Sequence, residues 1–474
     1  MGNRHKRCSD TEKLTDIPQS AQQKQFLSQK SRQPNPADQH LSGTNTPYLL
    51  ERTHFLKPVF CRFFAALVAA CWSLSVTAAP DMALLRVSGP SQPAEFSCPS
   101  HKSKALPNTP RPSPSMAEPA PPSFIQAYAA PAHSHTPGLK VGLWGDSHTA
   151  SGTFTDSLLD TLRLPRGQTR PSFIAPTFGV KGIRHPLRRA CLSEDWQLNM
   201  AYRTPNEGTQ AYAKSLASLG TEGAGAFMWL DFRYPDAQTR VKWVDLHFSK
   251  DSAERSLVLG VTVDDGPEAT VNLGPGDIKR LRVQADQGFA TLRLRLIAGQ
   301  IRIDGLAPVY EGKTQVILDV FSIPGATAKG WRVVDTAHLR QQDPLESGYD
   351  VVILQSGTNE SLDPDFKAAV YESQLNASLT RLKAAYPRAR CVLIGPPDAR
   401  RSANTLRLIN DSQYRLAMAK GCTHWHWQKT MGGPGASVQW LGQGLMQTDL
   451  LHLTPAGYEQ SARSFVSVVP IKPR

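Results

Sequence analysis

The sequence predicts an α/β protein, a parallel sheet with helices on both faces into which an antiparallel β-sandwich is inserted. Three observations predict it. From Gln315 onward, apolar runs that end in loop-forming residues alternate with helical patterns, as a parallel sheet with crossover helices requires. A run of the same kind stands far upstream in Lys140-Val-Gly-Leu-Trp-Gly-Asp-Ser-His-Thr149, where a short apolar segment stops at a glycine and can continue as a helix. Between the two, from about 225 to 320, short alternating strands separated by turn clusters replace the helical signal.

Residues 1–56 are polar, rich in Gln, Ser, Lys and Thr, and lack the periodicity that builds a core, so they are expected to be disordered. In 57–79, Lys57 and Arg62 precede Phe63-Phe-Ala-Ala-Leu-Val-Ala-Ala-Cys-Trp-Ser-Leu-Ser-Val76, and Thr77-Ala78-Ala79 place small residues ahead of Pro80. This is the pattern of a secretory signal, and it implies export to the periplasm with cleavage near Ala79. An uncleaved anchor, at the short limit for a membrane span, and a lipid-modified Cys71 are the competing readings. Residues 80–138 are Pro-rich, as in Glu118-Pro-Ala-Pro-Pro122, and suit an extended tether.

Residues 139–185 hold the first strand and helix of the α/β domain. Residues 186–314 form the insert, with runs such as Val241-Lys-Trp-Val-Asp-Leu-His-Phe248 and Ala290-Thr-Leu-Arg-Leu-Arg-Leu-Ile297 separated by turns such as Asp264-Asp-Gly-Pro267. Strands this short and this regularly spaced argue for a sandwich, and its position suggests that it overhangs the cleft. Residues 315–474 complete the α/β domain. Gln315-Val-Ile-Leu-Asp-Val-Phe321 leads to Ser322-Ile-Pro-Gly325, Asp350-Val-Val-Ile-Leu354 leads to Gln355-Ser-Gly-Thr-Asn359, and Cys391-Val-Leu-Ile-Gly395 leads to Pro396-Pro-Asp398. Helices fit about 364–386, 404–420 and the segment after Thr454-Pro455. In such sheets the site lies beyond the C-terminal ends of the strands.

Composition narrows the function. The 474 residues are 40% hydrophobic, enough for a real core. The formal charge of +13 is diffuse: residues 139–474 carry 39 Lys+Arg against 32 Asp+Glu, with no basic run interleaved with aromatics, so nucleic acid is excluded as a partner. A mildly basic surface favours an anionic polymer such as a cell-wall glycan. Removing the leader leaves Cys98, Cys191, Cys391 and Cys422, for which three full pairings stand open; Cys391, opening an apolar strand, reads as a buried thiol. No Cys-x-x-Cys or His-Glu-x-x-His pattern occurs, so neither metal nor cofactor is expected. A monomer is expected.

Ester hydrolysis needs a nucleophile, a base, a group that orients the base, and donors for the oxyanion. Ser147 stands at the strand-to-helix turn as the nucleophile. In Asp449-Leu-Leu-His452 the spacing brings carboxylate and imidazole to one side, so that Asp449 can aim His452 at the serine. Asn359 can offer its amide to the oxyanion and Gly325 a bare backbone N–H. Taken in isolation, each also reads as an ordinary turn or surface residue.

Jointly and in this order, the four elements resemble the SGNH (GDSL-type) hydrolase family. The resemblance covers about 140–163 and 315–470 and implies a flavodoxin-like, three-layer α/β/α domain. It assigns Ser147, Asp449 and His452 as the catalytic residues and Ser147, Gly325 and Asn359 as the oxyanion hole. His148 departs from the Leu of the GDSL pattern. Gly-Asp-Ser-His-Thr-Ala, the carbohydrate-binding-module-like insert and Trp427-Gln-Lys-Thr-Met-Gly-Gly433 are similar to the peptidoglycan O-acetylesterases of Gram-negative bacteria. That similarity implies removal of the 6-O-acetyl group of muramic acid from peptidoglycan, or from another acetylated glycan. Trp425, Trp427 and Trp440 either stack on sugar rings or pack their own loop. The alternatives are an O-acetyltransferase with the same triad and a glycan-binding protein without catalysis.

Overall fold

The computed structural model describes residues 82–87, 137–204, 210–345, 347–400 and 403–471. The expected disordered leader, the signal or anchor segment and all of the tether except 82–87 and 137–138 lie outside them.

The chain enters at β1 (Met82–Val87) and then forms β2 (Leu139–Trp144), α1 (Ser147–Ala150), α2 (Thr153–Thr161) and β3 (Thr169–Arg170). The inserted strands follow: β4 (Arg189–Leu192), β5 (Gln197–Met200), β6 (Ala217–Thr221), β7 (Phe227–Asp231), β8 (Val241–Lys250), β9 (Leu257–Val263), β10 (Ala269–Leu273), β11 (Arg280–Phe289), β12 (Thr291–Ala298) and β13 (Ile301–Tyr310). The α/β pattern then resumes with β14 (Val316–Val320), α3 (Thr336–Gln342), β15 (Val351–Gln355), α4 (Ala368–Ala385), β16 (Arg390–Ile394), α5 (Ala403–Lys420) and β17 (Thr423–Trp425). It closes with α6 (Trp427–Met431), α7 (Ala436–Gly442) and α8 (Pro455–Val468).

β2 lies between β14 and β15 in a parallel sheet of order β17-β16-β15-β2-β14-β3. Leu139 faces Val316 and Val141 faces Val351, so the strand at 139 pairs only with strands that follow the insert. β2 and β15 are buried at every position, because both faces of the sheet are covered. Alternation assigns the faces: Val352 and Leu354 pack with Leu379 and Leu382 of α4 and Ile409 of α5, while Val351 and Ile353 pack with Phe154 of α2 and Phe465 of α8.

The insert is a two-sheet sandwich, β1-β11-β8-β13-β6-β5 facing β10-β9-β12-β7-β4. Val244, Leu246, Leu281 and Val283 on one side meet Met228, Leu230, Leu292 and Leu294 from the other in one core. Two findings differ from expectation. The tether does not begin at Pro80: the apolar run Met82–Val87 is an edge strand of the sandwich, parallel to β11, with Met82 opposite Arg280. Five of its six residues are apolar, and edge pairing buries Met82, Ala83 and Leu85. The sandwich is therefore antiparallel except at this edge. Cys391 is not a thiol but is bonded to Cys422, joining the start of β16 to the turn before β17; Cys191 is also disulfide-bonded.

A buried ion cluster fastens the insert to the α/β domain. Lys214 Nζ lies 2.9 Å from Asp343 and 3.2 Å from Asp319, donates to Ser172 Oγ at 2.9 Å, and is capped by Tyr349, which donates to Asp319. The Trp144 indole at the end of β2 donates to Lys214 O at 2.7 Å.

Candidate active site

β2 is followed by Gly145, where a Cβ would stand 2.3 Å from Thr149 Oγ1 and 2.7 Å from Gln355 Oε1, so glycine lets these two side chains pack close against the chain. Asp146 is fully buried. Its backbone N–H donates to Gln355 Oε1 at 2.8 Å, its Oδ2 accepts from Gln355 Nε2 at 2.8 Å, and its Oδ1 accepts the N–H of His148 at 2.9 Å as the N-cap of α1. These bonds fix Ser147 at the start of α1.

Ser147 Oγ is 3.0 Å from His452 Nε2, and His452 Nδ1 is 2.7 Å from Asp449 Oδ2. The second carboxylate oxygen of Asp449 accepts the backbone N–H groups of Leu451 and His452, both at 2.9 Å. These two bonds close a turn in which Leu450 is left-handed, at φ 51°. Partial burial pushes the Asp449 carboxyl up, but the imidazole and the two amides outweigh it and hold the group below its ordinary value. The His452 side chain is 32% exposed, so the relay sits at the rim of a cleft and not in a sealed chamber.

That cleft, of about 580 Å³, is lined by Ser147, Lys181, Gly325, Asn359, Gln447 and His452 among others. Gly325 has φ +83°, a conformation that favours glycine, and no atom lies within 4 Å of where its Cβ would stand. The Asn359 amide donates one N–H to Ala326 O at 2.7 Å, which joins the loop after β15 to the loop after β14. Glu360 ties the same loops a second time: one carboxylate oxygen accepts Ala328 N–H at 2.6 Å and the other Gly357 N–H at 3.0 Å. Burial raises its carboxyl to about 7 against the lowering effect of the amides.

Of the residues singled out in the sequence, Ser147, Asp449, His452, Gly325 and Asn359 converge here. Trp425, Trp427 and Trp440 do not. All three are buried; Trp427 Nε1 donates to Ser461 Oγ at 2.9 Å and Trp440 Nε1 to Met431 O at 2.9 Å. Trp425 and Trp427 lie 5.1 Å apart against Phe154. They form the core beneath α2 and α8 and cannot present a face to a sugar. No residue of 186–310 lines the cleft among the described residues.

Sequence reasoning missed Gln355, Glu360 and His148. Gln355 is the polar end of a fully apolar strand, and Glu360 adjoins Asn359; both positions carried a signal. His148 is buried, with Nδ1 3.1 Å from Tyr458 Oη and its ring 5.4 Å from that of His452. Burial lowers it to about 4, with Asp146 opposing and His452 reinforcing the shift, so it stays neutral beside the relay. Among the described residues no cluster of His, Cys, Asp and Glu could hold a metal ion, and no helix is long and apolar enough to cross a membrane.

Residues 299–460 match the model of the GDSL-like Lipase/Acylhydrolase family. A solved structure described as a peptidoglycan O-acetylesterase in action is 24% identical, covers 69% of this chain and 89% of its own, and superposes with a TM-score of 0.54; the two share a fold. A lipase/acylhydrolase from Enterococcus faecalis is 20% identical over 34% of this chain and 79% of its own, with a TM-score of 0.25. An acetylxylan esterase from Geobacillus stearothermophilus is 16% identical over 33% and 74%, with a TM-score of 0.26. No curated protein sequence matches.

Proposed function

We propose that this chain, whose residues 299–460 match the GDSL-like lipase/acylhydrolase family model, is a carboxylic ester hydrolase that removes O-acetyl groups from peptidoglycan, acting on the 6-O-acetyl ester of muramic acid. The observation that carries the reading is the relay from Ser147 Oγ through His452 to Asp449, opening on a cleft that Gly325 and Asn359 also line. His452 Nε2 takes the proton of Ser147 as Oγ bonds to the acetyl carbonyl carbon, and Asp449 holds Nδ1–H so that Nε2 is the free base. The carbonyl oxygen becomes an oxyanion, for which the N–H groups of Ser147 and Gly325 and the Asn359 amide are the donors. Collapse returns the proton from His452 to the departing sugar oxygen and leaves an acetyl-serine, which water, deprotonated by the same imidazole, hydrolyses to acetate. The exposed rim admits that water.

The shared fold with a peptidoglycan O-acetylesterase and the signal-like segment at 57–79 support a cell-wall substrate met in the periplasm. The test is acetate release from O-acetylated peptidoglycan by wild type and Ser147→Ala in parallel. Release should fall by about 10⁴-fold or more with the melting temperature unchanged. Full activity in the variant on a chromogenic acetyl ester would remove Ser147 from the reaction, and activity on that ester without acetate release from the glycan would remove the substrate.

A further inference from the structure

The turn that carries Lys181 is held against two sides of the catalytic cleft. Val180 N–H donates to Thr177 O at 3.2 Å and Ile183 N–H to Val180 O at 3.4 Å, so the chain reverses with Lys181 and Gly182 at its corner. Gly182 has φ 83°, as the second corner residue of such a turn requires. Beyond the corner, Arg184 fastens the segment to the nucleophile side: its backbone N–H donates to Ala150 O at 2.9 Å, at the end of α1, and its Nη2 to Gly152 O at 3.0 Å. On the other side, a Cβ at Gly182 would stand 3.4 Å from Pro324 Cγ, so the corner packs against the loop that presents Gly325.

The two cations of this segment differ in what they face. Arg184 is committed to Asp156, its terminal nitrogens lying 2.7 and 2.5 Å from the carboxylate oxygens. Lys181 is exposed and forms no hydrogen bond or ion pair among the described residues. Of the described residues that line the cleft, none is acidic, and Lys181 is the only lysine or arginine. The carboxylate of Asp449 is taken up by the His452 imidazole and two backbone amides. A cation in a concave wall with no carboxylate facing it attracts anions to that wall. The relay of Ser147, His452 and Asp449 is complete without it.

We propose that Lys181 is a specificity-determining residue, whose ammonium group engages a carboxylate that the substrate carries beside the acetylated sugar. This rests on the peptidoglycan reading. In the polymer the lactyl carboxyl of muramic acid is consumed in an amide bond to the peptide, so the free carboxylates are those of the peptides themselves. Each peptide hangs from the same ring as the 6-O-acetyl ester that Ser147 attacks, and the flexible four-carbon stem of lysine can follow its movement. The enzyme therefore prefers an acetyl ester on an anionic glycan to the same ester on a neutral one.

The test is acetate release from O-acetylated peptidoglycan, and from the same polymer after its free carboxyls have been amidated with a carbodiimide and ammonium. For wild type, kcat/KM should be about three- to fivefold higher on the untreated polymer, the effect expected of an exposed ion pair, and added salt should shrink the ratio. Lys181→Gln should abolish the preference through KM, Lys181→Arg should keep it, and Lys181→Glu should invert it. Because Lys181 is exposed and unpaired, all three variants should melt with wild type. Equal wild-type rates on the two polymers, or a preference that Lys181→Gln leaves unchanged, would overturn the assignment of Lys181 alone. Absence of acetate release from both polymers by wild type would instead remove the peptidoglycan reading, and this assignment with it.

Discussion

Glu360 is the side chain on which the two loops that present Gly325 and Asn359 converge. Each of its carboxylate oxygens accepts one backbone N–H, from Ala328 on one loop and Gly357 on the other. Glu360→Gln keeps the size but replaces one acceptor with a donor that faces an N–H. Leaving a buried N–H without an acceptor costs about 1–3 kcal/mol, so kcat should fall by about 5- to 150-fold with KM little changed. A rise in KM alone would mean that Glu360 shapes binding and not the oxyanion donors. The relay residues were legible in the sequence because a nucleophile, a base and its partner must be specific residue types in loops, Ser147 after β2 and Asp449 and His452 in the turn before α8. Glu360, Gln355 and Asp146 were not read as a supporting set, because each acts through partners supplied by a different strand or loop, and only folding brings Asp146 and Gln355 within 2.8 Å.

At the level of elements, the strands and helices of the α/β domain were readable from their apolar runs, whereas side-chain fates at their ends were not. Trp425, Trp427 and Trp440 occupy a loop near the active site in sequence, yet β17, α6 and α7 turn all three inward, where their area stabilises the layer under α8. The Cys391–Cys422 bond was hidden for a related reason: only the parallel pairing of β16 with β17 brings the strand start near the turn that ends α5. The bond closes a separation of 31 residues, for which loop entropy gives about 3–4 kcal/mol. Replacing both cysteines, Cys391→Ala with Cys422→Ala, should therefore lower the melting temperature by several degrees or more while the initial rate of ester hydrolysis at 25 °C is retained, since neither cysteine lines the cleft. Loss of rate in the double variant, at a temperature where the chain remains folded, would contradict this.

For the whole molecule, acid sensitivity follows from imidazoles sealed in neutral form. His148 and His185 are lowered to about 4 and His247 to about 3, in each case chiefly by burial. Their folded values lie below the unfolded one, so the unfolded chain binds protons that the folded chain refuses. Stability is fully present above about pH 6.5 and is lost as pH falls toward 4. Glu360 and Asp304, raised to about 7 and about 6, act in the opposite sense and blunt the slope. His247, with both ring nitrogens unpaired and its ring 5.2 Å from Phe173, isolates one contribution. Relative to wild type, His247→Gln should gain stability on acidification below pH 6.5, by at most about 1.4 kcal/mol per pH unit, read from denaturant midpoints between pH 4.5 and 7. A constant difference across that range would assign the proton uptake elsewhere.

The α/β class and the sandwich were legible because hydrophobic period and turn chemistry are local properties. The edge strand β1 was not, since a single apolar hexamer ahead of a Pro-rich stretch names no neighbour until β11 supplies one. That pairing has a mechanical consequence. Tension applied to the chain ahead of Met82 would load the β1–β11 hydrogen bonds at the rim of the sandwich before it reached β2, so the insert would act as a strain relief and leave the spacing between Ser147 and His452 unloaded.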